Sequence, residues 1–225
     1  HLAAYTNVNQ AEKEKALAFK INRDGTKNVF EASRKKKKKF IYISTDFVFD
    51  GKNEGGYTEE DSPNPINWYG QTKYEGEKQV QSLSAKYIIA RIAYPYRVNS
   101  ERTDFARGLI EKIKSSEFLS MITDHIMTPT FIDDIANALD ILIQKKQTGI
   151  FHVVGSQSIS PYDGALLICD IFGFDKSRIG KTTLEEFFKG RAPRGFSLYL
   201  KNDKIRRLGI NMRTFEECLR EIKNQ

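Results

Sequence analysis

The chain has 225 residues, of which 40% are hydrophobic and 29% charged, and its formal net charge is +7. This length can bury one sizeable core, with or without a small additional lobe, and the composition is that of a folded globular protein. No apolar run approaches the ~20 residues of a membrane span and no signal-peptide pattern opens the chain, so we expect a cytoplasmic protein without membrane association.

The cysteines, histidines and lysines argue against metal and nucleic-acid binding. Cys169 and Cys218 share no CxxC spacing, and His125 and His152 have no partners at ligand spacing, so no metal site is expected. Much of the positive charge lies in the run at residues 34–39, where lysines suit the C-terminus of a predicted helix. No aromatic residues interleave with them, as a single-strand nucleic-acid binder would need. The overall positive field favours a polyanionic small ligand instead.

Helical and strand patterns alternate along the chain. The opening HLAAYTNVNQ is typical of the end of a buried strand that runs into a polar turn, and the pattern after it predicts a helix over residues 10–21 with Asn9 as its N-cap. Further helices are predicted at residues 25–34, 68–84, 102–115, 132–145, 161–172, 184–189 and 214–223. In the second helix, the residues predicted to face inward are Val29, Phe30 and Ala32. The predicted strands cover residues 39–44, 87–94 and 149–155.

This alternation predicts an α/β fold with a mostly parallel sheet. In such sheets, ligands bind beyond the carboxyl ends of the strands. Three polar stretches follow predicted strands and are expected to wall one site: YTNVN, STDFVFDG and AYPYR. The Gly-, Asn- and Pro-rich stretch at residues 47–67 predicts a long loop, and loops of that length inside compact domains are usually functional.

The segment NWYGQTKYEGEK, residues 67–78, contains the Tyr-x-x-x-Lys spacing twice. A phenol with a pKa of ~10 is a poor proton donor at pH 7, but an ammonium group one helical turn away lowers that pKa. Tyrosines five residues apart point about 140° apart around a helix, so only one pair can face a given cleft. Tyr69 lies beside the long loop and, with Lys73, is the predicted catalytic pair.

The second pair, Tyr74 and Lys78, is predicted to be an accident of composition. Ten tyrosines in a lysine-rich chain give about one such spacing by chance. The neighbouring Glu75, Glu77 and Gln79 are typical of a solvated helix face.

A catalytic tyrosine also needs a group that holds the substrate oxygen against the phenol. Thr45 and Asp46, which follow the predicted strand at residues 39–44, offer a hydroxyl and a carboxylate. Arg191 and Arg194, in GRAPRG, fit either a bidentate grip on a nucleotide diphosphate or an ordinary surface loop.

The combined segments resemble the extended short-chain dehydrogenases/reductases, and within them the dTDP-4-dehydrorhamnose reductases. The resemblance covers nearly the whole chain and rests on HLAAYTNVNQAE, YISTDFVFDG, PINWYGQTKYEGE, ITDHIMTPTFIDDIANAL and GIFHVVGSQSISPYDGALLICDIFG. It implies a Rossmann-type doubly wound sheet, N-terminally incomplete in these residues, over 1–95 plus 130–155. It also implies a smaller C-terminal α/β substrate lobe over 96–129 plus 156–225, and NADPH or NADH as cofactor.

The resemblance implies a role for each candidate residue. Tyr69 would protonate the C4 carbonyl oxygen of a nucleotide-linked keto sugar as hydride arrives, and Lys73 would lower its pKa and bind the nicotinamide ribose. Thr45 and Asp46 would position the sugar, with the aromatic Tyr94 against it. The residues that would line the cofactor are Ala3, Ala4, Tyr5, Thr6 and Ile43. The expected partner is the nucleotide sugar, and a homodimer is left open.

Two departures from the family pattern stand out. The Gly-rich GxxGxxG turn that cradles the cofactor pyrophosphate is not among these residues, and roughly two ~30-residue β-α-β units of the pattern would precede His1. We therefore expect the 225 residues by themselves to bind NAD(P)H weakly and to be poorly soluble. Asn9 stands where the family usually has Asp.

Two other functions are weighed against the reductase. An epimerase or dehydratase of the same superfamily is the neighbouring alternative, and of these the dehydratase is disfavoured, because dehydratases place Glu directly after the Thr-Asp pair and this chain has Phe47. A non-catalytic nucleotide-binding regulator, like the β subunit of methionine adenosyltransferase, has the same fold and much of the same pattern, and it stays open.

Overall fold

The computed structural model describes residues 1–83, 86–97, 104–115 and 118–224. Within them the strands are β1 Phe40–Thr45, β2 Tyr87–Ile92, β3 Pro95–Tyr96, β4 Leu119–Ile122, β5 Thr130–Phe131, β6 Gly149–His152 and β7 Ile179–Thr182. The α-helices of the same residues are α1 Val8–Lys13, α2 Lys15–Phe19, α3 Thr26–Lys35, α4 Trp68–Leu83, α5 Phe105–Lys114, α6 Ile132–Gln144, α7 Pro161–Phe172, α8 Leu184–Phe187, α9 Asp203–Arg206 and α10 Phe215–Lys223.

A parallel sheet in the order β1-β2-β6 forms the centre of the described part of the chain. Its register pairs Thr45 with Ile92 and Arg91 with His152, so the strands end at one edge of the sheet. His1 lies beside β1 and donates from its amino group to the Ile41 carbonyl oxygen at 2.8 Å. The predicted α/β architecture with a parallel sheet is confirmed.

Both faces of this sheet are buried, which explains the nearly continuous apolar runs in its strands. Because side chains alternate along a strand, one face of β1 and β2 differs from the other. One face packs against α3 and α4 through Phe30, Phe40, Tyr42, Val80 and Ile89. The other packs against α6 and α9 through Ile88, Ala90, Ile135, Ala138, Leu142, Phe151 and Ile205.

A second core lies between α5, α7 and α10 and the pair β4-β7. Local signals set α7: Pro161 occupies its first turn, the Ser160 hydroxyl accepts from the Asp163 amide at 3.0 Å, and Gly173 ends it in the left-handed conformation with φ 77°. The β4-β7 pair was not predicted from the sequence. The division into two domains stays a prediction, although Ile210, assigned there to the smaller lobe, packs on the sheet.

The single helix predicted over residues 10–21 is wrong in its bounds and in its cap, because α1 Val8–Lys13 and α2 Lys15–Phe19 are separate helices followed by a π-helical turn. The N-cap of α1 is Asn7, whose side-chain oxygen accepts from the Gln10 amide at 3.0 Å. The predicted cap, Asn9, lies inside the helix and instead accepts from the Ala192 amide at 3.2 Å. Because Asn7 caps the helix, the Asn9 side chain in the first turn is free to bind another segment.

The inward face of α3 was also predicted only in part. Phe30 is buried, but Val29 is 45% exposed and Ala32 is exposed as well. Successive residues of a helix point about 100° apart, so a helix that meets the sheet through Phe30 turns Val29 and Ala32 toward solvent. Residues 102–103 and 84, the predicted ends of two other helices, lie outside the described residues.

A π-helical turn at Lys20–Gly25 joins α2 to α3, and its Asn22 is buried. The Asn22 side chain accepts from the Tyr5 amide at 2.7 Å and donates to the Tyr5 carbonyl at 3.1 Å. It also donates to the Thr72 hydroxyl on α4 at 2.8 Å. One amide therefore joins the opening segment to α4. None of the helices in the described ranges is long and apolar enough to cross a bilayer.

Candidate active site

A cleft of about 540 Å³ lies beyond the carboxyl ends of β1 and β2. The opening segment, the end of β1, the start of α4 and the segment after α8 form its walls. The lining residues are Leu2, Ala4, Thr6, Val8, Ile43, Ser44, Thr45, Asp46, Phe47, Tyr69, Lys73, Ile92, Tyr94, Pro95, Phe188 and Arg194. A neighbouring concavity of about 710 Å³ shares Phe188 and Arg194 with it.

The first turn of α4 is held against the end of β1. The Asn67 side chain accepts from the Gly70 amide at 2.8 Å, and the Glu12 carboxylate accepts from the Trp68 amide at 2.7 Å. A side chain at Gly70 would collide with the Phe47 carbonyl oxygen, so only glycine lets the helix approach this closely. This contact brings Tyr69 to the cleft.

Lys73 is 3% exposed and lies at the bottom of the cleft. Its Nζ donates to the Ile43 carbonyl oxygen at 2.7 Å and lies 4.1 Å from the centre of the Tyr42 ring. Burial lowers the pKa of Lys73 to about 7, against the opposing negative charge of Glu77. The lysine therefore exchanges its proton near neutral pH.

The Thr45 hydroxyl lies between Asp46 and Tyr69. It donates to Asp46 Oδ1 at 2.8 Å, and it is within hydrogen-bond reach of the Tyr69 phenol. Burial raises the pKa of Tyr69 above its ordinary value. Burial is the largest influence on this pKa, and the predicted lowering by Lys73, which donates to the main chain, stays a prediction. At neutral pH the phenol holds its proton.

Asp46 is a buried carboxyl group. It is 2% exposed, and its Oδ2, like the Ser44 hydroxyl, has no hydrogen-bond partner within the described part of the chain. Burial raises the pKa of Asp46 to about 7, although hydrogen bonds from Thr45 and the Phe47 amide and the charge of Arg194 oppose the rise. The cleft thus holds an acid that is partly protonated at pH 7.

Arg194 lines the cleft, and its binding of a nucleotide diphosphate stays a prediction. Its guanidinium lies 5.3 Å from the Phe47 ring centre and 4.7 Å from that of Phe188, and it donates to the Ala192 carbonyl oxygen at 2.7 Å. Arg191 lies outside the cleft, with its guanidinium 5.6 Å from the Phe187 ring centre. Tyr94 lines the same cleft as Arg194.

The predicted cofactor wall is only partly assembled. Ala4, Thr6 and Ile43 line the cleft, but Ala3 and Tyr5 do not. Successive side chains of an extended segment point to opposite sides. The Tyr5 hydroxyl accordingly points away and donates to Glu14 Oε2 at 2.6 Å.

The family follows from comparison with known proteins. All of the chain, residues 1–225, matches the family model described as RmlD substrate binding domain. This chain belongs to that family. It is similar to the dTDP-4-dehydrorhamnose reductase of Aggregatibacter actinomycetemcomitans, with 34% identity over 174 residues, which are 75% of this chain and 58% of that relative.

Two further likenesses bear on the site. A crystal structure of dTDP-4-dehydrorhamnose reductase from Bacillus anthracis in complex with NADP has a TM-score of 0.91 and 36% identity, covering 99% of this chain and 78% of that one. Methionine adenosyltransferase 2 subunit beta of Bos taurus is 31% identical over 222 residues, 95% of this chain and 65% of that protein. The predicted Rossmann-type fold is confirmed by the structural likeness.

In this member of the RmlD substrate binding domain family, the second Tyr-x-x-x-Lys pair lies away from the cleft-lining residues. Tyr74 is half-buried against a cluster that includes Phe49 and Leu200, and Lys78 Nζ lies 5.0 Å from its ring centre. Its assignment as a non-catalytic pair stays a prediction, but the expected solvated face is wrong for one neighbour. Glu77 is fully buried, with bidentate hydrogen bonds from Arg91 at 3.0 and 2.7 Å.

Sequence reasoning missed several lining residues. Leu2 and Val8 continue the alternation through Ala4 and Thr6, so the period of two could have revealed them. Phe188 carries no such signal, because only the fold brings the segment after α8 to the cleft. Among the described residues, no group of three or more His, Cys, Asp or Glu side chains could hold a metal ion.

Proposed function

We propose that this chain belongs to an NADPH- or NADH-dependent reductase of the C4 keto group of a nucleotide-linked 6-deoxy sugar, as in dTDP-L-rhamnose biosynthesis. The observation that carries the proposal is the joint placement of Tyr69, Lys73, Thr45 and Asp46 around one cleft at the carboxyl ends of parallel strands. Similarity to dTDP-4-dehydrorhamnose reductases, one of them in complex with NADP, supports it.

The residues present fit the nicotinamide end of such a cofactor. Ala4, Thr6 and Ile43 give one wall small or apolar side chains against which a flat ring can lie. Lys73 has three N–H donors, and with one directed to Ile43, others can reach ribose hydroxyls. The bound nicotinamide supplies a hydride to the carbonyl carbon of the sugar.

Tyr69 supplies the proton to the carbonyl oxygen. The phenol is protonated before reaction, and the alkoxide that forms on the sugar, a stronger base than a phenolate, draws its proton off. When Asp46 is protonated, it donates to the Thr45 oxygen, and the Thr45 hydrogen is then free to hold the substrate oxygen at the phenol. After product release Asp46 returns a proton to Tyr69 through the Thr45 hydroxyl and then takes a proton from solvent that enters the empty cleft.

The substrate end of the cleft carries positive charge. Arg194 lies on the boundary between the cleft and the neighbouring concavity, where a diphosphate can join a sugar in one to a nucleoside in the other. Tyr94 offers an aromatic wall for the sugar.

The test is turnover by the protein as its gene encodes it. With dTDP-4-keto-6-deoxyhexose, it should oxidise NADPH or NADH, followed by loss of the reduced-nicotinamide absorbance, and Tyr69→Phe should abolish most of this rate. A second candidate, a non-catalytic regulator, is favoured by the similarity to methionine adenosyltransferase 2 subunit beta. No turnover over a panel of keto sugars, together with tight binding to a methionine adenosyltransferase catalytic subunit, would support the regulator and reject the reductase.

The dehydratase alternative lacks an acid directly after the Thr-Asp pair, and the epimerase stays an open alternative. Phe47 follows Asp46 and packs edge-on against the Tyr69 ring, with 5.7 Å between ring centres. The homodimer and the cytoplasmic location stay predictions, and light scattering of the purified protein tests the first.

A further inference from the structure

A hydrogen-bonded chain in the cleft wall involves neither the catalytic tyrosine nor the cofactor wall. The Tyr94 hydroxyl lies 3.0 Å from His125 Nε2, and His125 Nδ1 lies 2.7 Å from the Gly195 carbonyl oxygen. His125 is 2% exposed, so its ring is enclosed. The imidazole thus joins Tyr94 to the residue next to Arg194.

The chemistry of these groups fixes the position of each proton. A carbonyl oxygen only accepts, so His125 Nδ1 carries a hydrogen. Burial is the largest influence on this imidazole and lowers its pKa; Arg194 also lowers it, whereas Asp124 and the hydrogen bonds to Gly195 and Phe196 raise it. A neutral ring protonated on Nδ1 has a bare Nε2 that accepts. The Tyr94 hydroxyl must therefore donate to His125.

The surrounding main chain holds this arrangement in place. Tyr94 has a φ of 41°, an uncommon conformation for a residue other than glycine, and its carbonyl accepts from the Thr130 amide at 3.2 Å. Ile126, next to His125, donates to the Phe196 carbonyl at 2.7 Å and accepts from the Leu198 amide at 2.8 Å. The main chain is therefore held by hydrogen bonds at Tyr94 and next to His125.

The Tyr94 oxygen still has lone pairs for a ligand. Tyr94 lines the cleft together with Asp46 and Arg194. We propose that His125 is a positioning residue. It accepts the hydrogen bond of the Tyr94 hydroxyl, so that the Tyr94 oxygen faces the ligand as an acceptor and selects a hydroxyl donor. Given the proposed function, on which this identity rests, the donor is a hydroxyl of the sugar ring.

The first test reads the tautomer directly and needs no turnover. In the gene-encoded protein with ¹⁵N-labelled histidine, NMR correlation through the imidazole should show His125 protonated on Nδ1, with and without a dTDP-sugar. A proton on Nε2 would overturn the proposal whether or not the protein is a reductase.

The second test is a double-mutant cycle of Tyr94→Phe and His125→Leu. Tyr94→Phe removes the acceptor, and His125→Leu leaves the Tyr94 hydrogen free to point at the ligand donor, so each variant should raise KM for the nucleotide sugar about 10-fold, more than it lowers kcat. The double variant should be no worse than either single one, and His125→Gln, whose amide can both accept and donate, should restore KM. Independent effects that multiply to about 100-fold would overturn the coupling.

Two controls keep these outcomes separate. KM for the nicotinamide cofactor should not change in any variant, since the hydrogen bonds lie on the sugar side. If His125→Leu fails to fold, Tyr94→Phe and His125→Gln still decide: the first must raise KM and the second must not. If the unmodified protein has no turnover, the proposed function fails, and the same cycle is run on dTDP-sugar affinity by calorimetry with the same expected ratios.

Discussion

The first three turns of α4 carry the Tyr-x-x-x-Lys spacing twice, in different surroundings, with Tyr69 in the first turn and Tyr74 in the second. In one turn, Lys73 is buried and donates to the main chain of β1 at 2.7 Å, and Tyr69 lines the cleft. In the other, Lys78 is exposed and pairs with Glu75 at 2.6 Å, while Tyr74 packs against a hydrophobic cluster. The spacing sets the distance within each pair, and the neighbours decide whether the pair meets a ligand or a core.

Close approach of the helix to β1 creates this difference. Side chains at Gly70 and Gly76 would collide with the Phe47 carbonyl oxygen and the Tyr42 hydroxyl, respectively. Glycine at both places therefore lets α4 pack closely against β1 and the segment that follows it. The side of α4 that carries Tyr69 faces the cleft, and the side about 140° away, which carries Tyr74, packs against the hydrophobic cluster.

The largest expected effect is on the first turn. Tyr69→Phe removes the proton donor without changing the ring, so kcat should fall by roughly 10²- to 10⁴-fold, the range that general acid catalysis contributes. Steady-state kinetics with saturating NADPH measure it. An unchanged kcat would remove the catalytic distinction between the two turns.

The next effect contrasts two glutamates of the same helix. Glu77→Gln leaves the buried Arg91 guanidinium without its counter-charge, so the free energy of unfolding should fall by about 3 kcal/mol. Glu75→Gln, which loses only an exposed pair with Lys78, should change it by less than about 1 kcal/mol. Urea unfolding of both variants measures the difference, and equal losses would contradict the buried ion pair.

A third effect concerns the pH dependence of stability near the first turn. In the folded protein the pKa of the Asp46 carboxyl is about 7, whereas its ordinary value is 3.8. Its contribution to the free energy of unfolding is therefore full below pH 3.8 and is lost as pH rises to about 7. As pH rises from 5 to 8, the free energy of unfolding of Asp46→Asn should therefore increase relative to that of the unmodified protein by an amount on the order of 2 kcal/mol.

The matched control for this third effect is Asp61. Hydrogen bonds from Thr58 lower the pKa of Asp61, so its stabilising contribution is lost only as pH falls below its ordinary 3.8. Asp61→Asn should therefore keep a constant difference from the unmodified protein between pH 5 and pH 8. A drift as large as that of Asp46→Asn would show that the effect is not specific to the cleft.

The smallest expected effects are on the second turn. Tyr74→Phe keeps the packed ring, and Lys78→Met removes an exposed charge, so kcat should stay within about 2-fold and stability within about 0.5 kcal/mol. The same kinetic assay and urea unfolding measure both. A loss in Tyr74→Phe comparable to that in Tyr69→Phe would show that the wrong turn had been placed in the cleft.

The elements with local signals were predictable from the sequence. The helix α7 was predicted with its observed bounds because Ser160, Pro161 and Gly173 mark its ends. The bounds of α4 and β1 were also close, since their apolar patterns are long and distinct. Spacing together with family resemblance placed Tyr69, Lys73, Thr45 and Asp46 in one cleft.

Features that depend on distant partners were not predictable. Glu77 looks like a surface residue until β2 places Arg91 beneath it, and no local pattern announces that pairing. The β4-β7 pair joins short strands that lie far apart in the chain. His125 resembles an ordinary loop residue, because its partners Tyr94 and Gly195 are 31 and 70 positions away.

The Asn22 amide has a consequence for motion. Because it binds both Tyr5 and Thr72, we expect the opening segment and the helix that carries Tyr69 to move together. The opposite wall meets them at Asn9, whose side-chain oxygen accepts from Arg194 at 3.4 Å and from the Ala192 amide at 3.2 Å. We expect these two hydrogen bonds to set how far the cleft opens for a ligand.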